Sequence, residues 1–246
     1  MMNRTTVLPQ DQIHVWHWRQ PSTMCSRVVA LGVLGHYAGR ALAEIDLTRT
    51  HAGKPFLLPA VDVLPINFNI SGSDDLTMLA VSHQPVGIDV ERVQALPDLD
   101  DVAKYCFTLE EARQFAAIPP SDRAHYFYRS WTRKEAYLKA CGCGLSIEPN
   151  RIDTTQATIM NTIGFAVSPT HRGWHLHDAK VRGGFQAALS TPICGARIVS
   201  RNVGDDATLS SEGCAGARRR KIDEWTNTKR DCKCYHFASG IAIQGE

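Results

Sequence analysis

An alternation of apolar and polar residues constrains the fold of this chain more than any other feature of its sequence. Ile66, Phe68 and Ile70 would occupy one face of an extended segment, and the polar residues between them would occupy the other. A period of two indicates a half-buried β-strand, because successive side chains of a strand point to opposite faces. Two short runs that follow, each bounded by turn residues, are also typical of strands. We expect these strands over 76–82 and 86–91, in an antiparallel meander with the first.

Helices are predicted before and after these strands. Residues 27–43 carry apolar side chains at helical spacing. A capping box with the sequence T-L-E-E begins at Thr108 and predicts the start of a second helix, because its side chains satisfy the first backbone N–H groups. A third helix should begin near Ser121 and run to about Cys141, where the glycines of G-C-G end it.

The last part of the chain is less clearly patterned. Weak strand signals follow over 158–167, 173–181 and 184–190. From residue 192 onward, Gly, Ser, Arg and Asp alternate without an apolar period, and such segments bury too little apolar surface to remain ordered alone. We therefore expect residues 192–246 to form a poorly packed tail that is dispensable for ligand binding.

The composition excludes several classes of protein. Of the 246 residues, 43% are hydrophobic and 21% are charged, as in ordinary soluble proteins. The polar N-terminus lacks the apolar segment of a signal peptide, and no apolar run is long enough to cross a membrane. The net charge of +2 is low for a dedicated nucleic-acid-binding protein. We expect a cytoplasmic protein that binds neither membranes nor nucleic acid.

The eight cysteines show no spacing typical of a secreted disulfide framework, so reduced thiols are expected. The densest group is C-K-C-Y-H over residues 232–236. A zinc site there is conceivable, but the motif lacks a second pair of ligands.

The segment G-I-D-V-E over 87–91 carries the first candidate site. Alternation would bury its apolar residues and place Asp89 and Glu91 on the other face, about 6.6 Å apart along the strand. Two carboxylates are about what Mg²⁺ accepts from a protein, because this ion retains water and phosphate oxygens as its other ligands. Taken alone, the motif favours the solvated face of an edge strand.

The third predicted helix carries the second candidate site. Trp131, Glu135 and Lys139 are spaced by four residues and share one helical face. Glu135 and Lys139 could form only a surface ion pair, but the large Trp131 on the same stripe indicates partial burial. A buried carboxylate needs a partner, and a metal ion is one. Lys134 and Lys139 would supply positive charge for phosphate oxygens.

Two further cations stand out, although each is a weak signal alone. Lys54 lies in a short turn between Gly53 and Pro55, and Arg27 lies on an otherwise apolar predicted helix. A ligand that carries a diphosphate and a further phosphate needs several such cations at once.

The ordered set of these motifs resembles the Sfp-type 4′-phosphopantetheinyl transferases. The resemblance covers roughly residues 27–190 and rests on the order and approximate spacing of the motifs. They are Gly53-Lys54-Pro55, Asn69-Ile-Ser71, Val86-Gly-Ile-Asp89-Val-Glu91, Phe107 followed by Glu111, and Trp131-x-x-Lys134-Glu135-Ala-x-x-Lys139-x-x-Gly142-x-Gly144-Leu145.

The resemblance implies an α+β fold with two similar halves around a pseudo-twofold axis and the active site between them. Residues 1–84 would form the coenzyme A half, 85–191 the half with the metal and the catalytic helix, and 192–246 the tail. The implied reaction is a Mg²⁺-dependent transfer of 4′-phosphopantetheine from coenzyme A to a serine of an acyl or peptidyl carrier protein. Adenosine 3′,5′-bisphosphate would leave, and the enzyme is expected to be a monomer.

The resemblance also implies a role for each candidate residue. Asp89, Glu91 and Glu135 would bind the magnesium ion. Glu111 would accept the proton of the carrier serine, and Lys139 would offset the charge that develops on the leaving group. Contacts to coenzyme A are implied for Arg27, Gly53, Lys54, Pro55, Ser71, Gly72, Lys134 and Lys139.

Three departures from the family pattern keep other functions open. Gly72 stands where the family usually has a histidine that contacts a phosphate of coenzyme A, the region before Arg27 looks short, and the tail does not resemble the family. A degenerate member that holds coenzyme A or a carrier without turnover is therefore one alternative. A metal-dependent nuclease, in which D-x-E and K-E motifs recur, is another. A plain structural protein would leave the clustered acids and lysines unexplained.

Overall fold

The computed structural model describes residues 6–19, 26–41, 44–51, 53–58, 64–143, 147–160 and 173–205. The strands in these ranges are β1 Gln12–Arg19, β2 Leu47–Arg49, β3 Pro55–Leu57, β4 Asn67–Ser73, β5 Leu76–Ser82, β6 Gly87–Arg92, β7 Thr158–Met160, β8 Gly173–Ala179, β9 Phe185–Thr191 and β10 Arg197–Asn202. The helices are α1 Ser26–Ala38, α2 Leu99–Cys106, α3 Leu109–Ala117 and α4 Pro120–Cys141. None of these described helices is long and apolar enough to cross a membrane.

The first sheet has the strand order β10-β1-β5-β4. Strand β5 pairs antiparallel with both β1 and β4, whereas β10 pairs parallel with β1. Helix α1 covers one face of this sheet, where Val33 and Leu34 pack in a core with Trp16, Phe68 and Leu79. The alternation of β4 and β5 explains this face, because every second side chain points towards α1.

The second sheet has the strand order β6-β9-β8-β7, and all of its pairings are antiparallel. Helix α4 lies across β6, β9 and β8. It approaches β6 very closely at Gly87, where a Cβ atom would overlap the carbonyl oxygen of Ala136 and the backbone nitrogen of Ala140. Only glycine permits this approach, and α4 then ends at Gly142, which adopts the left-handed conformation with φ 67°.

The two sheets pack against each other through a shared apolar core. Ile13 and Met78 of the first sheet contribute to this core, and so do Ile88, Val90 and Leu189 of the second. The order of layers is therefore α1, first sheet, second sheet and α4. The α+β fold class predicted from the sequence is confirmed. The pseudo-twofold relation and the division at residue 84 stay predictions.

Several local predictions are confirmed. The capping box is present, with the Thr108 hydroxyl accepting from the N–H of Glu111 and the Glu111 side chain accepting from the N–H of Thr108. Strand β5 has the predicted bounds, and α4 begins one residue before the predicted Ser121. Strand β1 and helix α2 were not predicted. The cysteine-rich segment 232–236 lies outside the described residues.

One prediction about strand pairing and one about the C-terminal tail are wrong. The third strand of the expected meander, β6, does not pair with β5 but starts the second sheet, where it pairs with β9. The tail does not begin at residue 192, because β10 pairs with β1 over six residues from Arg197 to Asn202. Alternation of apolar and polar residues identifies a strand such as β6 but not the strand with which it pairs. Strand β10 lacks an apolar period because most of its side chains are exposed, so the sequence pattern did not reveal it.

We expect strand β10 to contribute to stability, contrary to the expectation for a dispensable tail. A chain that ends at Thr191 lacks β10 and leaves the edge of β1 unpaired, whereas a chain that ends at Asp205 retains it. Urea unfolding of the two truncated chains should give a clearly lower midpoint for the shorter one. Equal midpoints would show that the β1–β10 pairing adds nothing.

Candidate active site

The two sheets meet along a seam between their edge strands β4 and β6. Three alternate side chains of β4 accept hydrogen bonds from three alternate N–H groups of β6. The pairs are Ile88 N–H to Asn69 Oδ1 at 2.9 Å, Val90 N–H to Ser71 Oγ at 3.3 Å, and Arg92 N–H to Ser73 Oγ at 3.0 Å. Side chains of β4 thus take the place of the backbone hydrogen bonds that would join two paired strands. Because the side chains of β4 and the N–H groups of β6 both repeat every second residue, these contacts fix the register of β4 against β6.

The Asp89 carboxylate lies at this seam, with none of its surface exposed. Its Oδ1 atom accepts a hydrogen bond from Ser71 Oγ at 2.8 Å and pairs with Lys139 Nζ at 2.5 Å. The Lys139 ammonium also donates to Ser71 Oγ at 3.2 Å and to the Ile88 carbonyl at 3.4 Å. Strands β4 and β6 and helix α4 therefore meet at one buried carboxylate, and its charge is compensated there.

Glu91 and Glu135 lie beside this centre. Glu91 is the next residue on the same face of β6, and its Oε2 accepts a hydrogen bond from Ser73 Oγ at 2.7 Å. Glu135 is one helical turn before Lys139. From Ser130 to Ala140, Glu135 and Lys139 are the two residues of α4 that are not buried. These two side chains therefore form the partly exposed stripe of this part of α4.

The structure does not show the three predicted metal ligands around one position. No group of three or more His, Cys, Asp or Glu residues in the described ranges has an arrangement that could hold a metal ion. The cation at Asp89 is instead the Lys139 ammonium. The metal role of Asp89, Glu91 and Glu135 therefore stays a prediction.

Glu111 and Lys134 form a buried ion pair, and their predicted roles as proton acceptor and coenzyme A contact stay predictions. Both side chains are fully buried, and Lys134 Nζ lies 2.5 Å from Glu111 Oε2. The ammonium also donates to the carbonyls of Pro149 and Ile152, and Glu111 Oε1 accepts from both the N–H and the hydroxyl of Thr154. Burial lowers the pKa of Lys134, and the neighbouring Glu111 charge opposes that shift. Both groups are thus held by protein partners on every side that the hydrogen bonds describe.

The Lys54 ammonium contacts the end of α4, and its predicted role as a phosphate contact stays a prediction. It follows Gly53 in the β2–β3 hairpin, and its ammonium donates to the carbonyls of Val86, Lys139 and Ala140 at 3.3, 2.6 and 3.1 Å. Burial lowers the pKa of Lys54 to about 8. A cation at the last carbonyls of a helix stabilises that end, so Lys54 anchors the C-terminus of α4. Gly53 and Pro55 shape the hairpin that presents it.

Arg27 and Gly72 lie towards the same end of the first sheet. Arg27 is in the first turn of α1, where the neighbouring Ser26 hydroxyl lies 2.9 Å from the Thr77 hydroxyl. Thr77 pairs directly with Gly72 across the β4–β5 hairpin. The sheet register therefore brings the start of α1 close to the strand that carries Ser71 and Gly72.

Family models match both halves of the described chain. A model for the 4′-phosphopantetheinyl transferase superfamily matches residues 85–190, and a model for the N-terminal part of 4′-phosphopantetheinyl transferases matches residues 12–84. The chain belongs to the 4′-phosphopantetheinyl transferase superfamily.

Curated relatives in this superfamily match part of the chain. The 4′-phosphopantetheinyl transferase HetI of Nostoc sp. is 33% identical over 121 residues, which is 49% of this chain and 51% of that protein. The 4′-phosphopantetheinyl transferase Sfp of Bacillus subtilis is 30% identical over 51% of this chain and 54% of its own length. The L-aminoadipate-semialdehyde dehydrogenase-phosphopantetheinyl transferase of Rattus norvegicus is 30% identical over 56% and 50%. This chain therefore spans about half the length of these relatives.

A solved structure has a weaker similarity. The holo-[acyl-carrier-protein] synthase of Thermotoga maritima is 22% identical, and the match covers 43% of this chain and 61% of that one. The TM-score is 0.31, which is too low to support a structural argument.

Sequence reasoning missed two residues that lie close to Glu91. Ser73 contacts Glu91 as described above, and its signal in the sequence was the continued period of two after Asn69 and Ser71. Tyr128 of α4 is the other. Burial is the main cause that raises the pKa of Tyr128 to about 12, and the neighbouring Glu91 charge adds to it.

We expect the change Lys134→Met to destabilise the protein by about 3–5 kcal/mol, because it leaves the buried Glu111 carboxylate without its ammonium. Urea unfolding would measure the loss. The double change Lys134→Met with Glu111→Gln should recover part of it, because no buried charge remains. Coenzyme A binding by the folded fraction should be unchanged. A selective loss of that binding would instead support the predicted contact between Lys134 and coenzyme A.

Proposed function

We propose that this protein transfers 4′-phosphopantetheine from coenzyme A to a serine of an acyl or peptidyl carrier protein in a Mg²⁺-dependent reaction. The observation that carries this proposal is the contact of Ser71, Asp89 and Lys139. These residues come from three different elements, and all three belong to the motifs by which the sequence resembles the family.

The chemistry of the residues fits a magnesium ion. Carboxylate oxygens are the ligands that Mg²⁺ prefers, and Asp89, Glu91 and Glu135 offer them on two facing elements. Asp89 already holds a cationic group at 2.5 Å, which shows that its surroundings favour positive charge. When bound, the ion would neutralise charge on the diphosphate and orient it.

The residues of the chain would act on both sides of the transferred phosphorus. The serine oxygen of the carrier attacks the β-phosphorus of coenzyme A, and the bond from that phosphorus to the bridging oxygen breaks. Adenosine 3′,5′-bisphosphate leaves with the electron pair. Lys139 borders the solvent-accessible side of the site, where its ammonium can offset the charge on the leaving phosphate.

The proton of the carrier serine needs an acceptor that solvent can reach. Glu111 is fully buried and each of its oxygens already accepts two hydrogen bonds, which argues against this role. Glu135 is partly exposed and lies one helical turn before Lys139, and we propose that it accepts the proton directly or through a water.

Binding of coenzyme A is proposed along the end of the first sheet that carries Arg27, Ser71 and Gly72. A helix N-terminus favours negative charge, and α1 begins at this end. Gly72 is exposed, and glycine lets a phosphate approach the backbone N–H group.

The direct test uses apo-carrier protein, coenzyme A and Mg²⁺, with detection of the phosphopantetheine adduct by mass spectrometry. We expect Asp89→Asn to reduce the rate of transfer by at least about a hundredfold, because a neutral amide cannot hold the cation of the site. Asp178→Asn is the matched control, since Asp178 lies two strands from Asp89 in the same sheet and pairs with Arg129 and Arg133 instead of Lys139. Equal rates for Asp89→Asn and the unchanged protein would exclude the proposed role.

The same assay separates an active transferase from a degenerate binding member. The degenerate form would bind coenzyme A without producing the adduct on any carrier tested. Hydrolysis of nucleic acid without adduct formation would support the nuclease alternative.

We expect Gly72→His to tighten the binding of coenzyme A by roughly ten- to a hundredfold, as a charge-assisted hydrogen bond to phosphate would contribute about 1.5–3 kcal/mol. The position accepts a side chain, because the atom nearest to an added Cβ would be Thr77 Oγ1 at 3.5 Å. Titration calorimetry with coenzyme A would measure the change. Gly72→Leu, which adds bulk but no donor, should not tighten binding. Equal affinities for the histidine variant and the unchanged protein would show that this end of β4 does not contact coenzyme A.

A further inference from the structure

Two serines of β4 make the same pair of contacts to β6. Ser71 donates to the Asp89 carboxylate at 2.8 Å and accepts from the N–H of Val90 at 3.3 Å. Ser73 donates to the Glu91 carboxylate at 2.7 Å and accepts from the N–H of Arg92 at 3.0 Å. Each serine therefore joins one carboxylate to the N–H group that follows it in the chain.

The double contact fixes the direction of each hydroxyl proton. A serine hydroxyl has one proton to donate and two lone pairs that accept. In Ser73 the N–H of Arg92 approaches a lone pair, so the proton is available to the Glu91 carboxylate. The position of Ser73 is in turn fixed by the pairing of β4 with β5, where it lies opposite Leu76. The orientation of Glu91 is thus tied to the backbone of the first sheet.

Glu91 is the more exposed of the two carboxylates that the serines contact. Asp89 is fully buried and is also held by Lys139, whereas Glu91 has a longer side chain and is partly exposed. A flexible carboxylate at the border of a site can adopt several rotamers, and only some of them point towards Asp89.

We propose that Ser73 is a positioning residue, which orients the Glu91 carboxylate for the cation of the site. This inference rests on the proposed function, since it assigns Glu91 to the bound Mg²⁺. Ser73 itself does not touch the reacting atoms. Its effect is to keep Glu91 beside Asp89 before the ion and coenzyme A bind.

A purely structural role for Ser73 in the seam is the competing explanation, and Asn69 separates the two. Asn69 makes the same kind of seam contact, because its Oδ1 accepts from the N–H of Ile88. The residue before Ile88 is Gly87, which has no side chain, whereas the residues at the equivalent positions before Val90 and Arg92 are the acids Asp89 and Glu91. Asn69→Ala therefore removes a seam hydrogen bond without affecting the orientation of any acid.

The test measures Mn²⁺ affinity by electron paramagnetic resonance, with and without coenzyme A, in the full-length protein. Ser73→Ala should weaken the affinity about tenfold, as is typical when a partner that orients a metal ligand is removed. Ser73→Thr retains the hydroxyl and should bind within about threefold of the unchanged protein. Asn69→Ala should lower the melting temperature but leave the affinity unchanged. An unchanged affinity in Ser73→Ala, or an equal loss in Asn69→Ala, overturns the inference.

A double change gives a second, independent criterion. If Ser73 acts through Glu91, then Ser73→Ala should cause no further loss of Mn²⁺ affinity in a protein that already carries Glu91→Ala. Additive losses would contradict the positioning role. Should Ser73→Ala fail to fold, Ser73→Cys replaces it, since a thiol has a similar shape but is a weak donor.

The outcome also distinguishes this inference from the proposed function. If the unchanged protein binds Mn²⁺ and Asp89→Asn does not, while Ser73→Ala binds normally, the metal site stands and only the role of Ser73 is overturned. If the unchanged protein does not bind Mn²⁺ under either condition, the metal assignment and the role of Ser73 are both overturned.

Discussion

The arrangement of this protein depends on the seam in which side chains of β4 satisfy the outer N–H groups of β6. Both strands are at the edge of their sheets, and edge strands present unpaired backbone groups that would otherwise need water or another chain. Asn69, Ser71 and Ser73 accept from alternate N–H groups, so the two sheets are joined without becoming one. The seam brings carboxylates of β6 against hydroxyls of β4, which is where the candidate active site lies.

The approach of α4 depends on a second constraint, the absence of a side chain at Gly87. Because the helix backbone from Ala136 to Ala140 lies directly over this residue, Lys139 on the same turn is close enough to reach Asp89. Lys54 holds the end of the same helix by donating to its last carbonyls. Lys54 thus holds the end of α4 in place, and Lys139 of α4 compensates the charge of the buried Asp89.

Local secondary structure could be predicted from the sequence, but the pairing of strands could not. The alternation in β5 and the capping box at Thr108 depend on neighbours within a few residues, and both were predictable. The pairing of β6 with β9, and of β10 with β1, depends on segments far apart in the chain, which a local period cannot identify. The candidate site was predictable only in part for the same reason. The motifs identified Ser71, Asp89 and Lys139, but could not show that Glu111 is enclosed by Thr154 and Lys134.

Two buried ion pairs among the described residues place similar charged groups in different surroundings. In the Glu111–Lys134 pair both side chains are fully buried and every ammonium proton has a protein acceptor, so the pair joins α3, α4 and the segment around Ile152. In the Asp89–Lys139 pair the carboxylate is fully buried, but 18% of the lysine side chain is exposed. Moving the first ammonium would leave a buried charge uncompensated, at a cost of about 3–5 kcal/mol. The second can turn towards solvent while another cation takes its place, so an exchange of ligands is possible at Asp89 and not at Glu111.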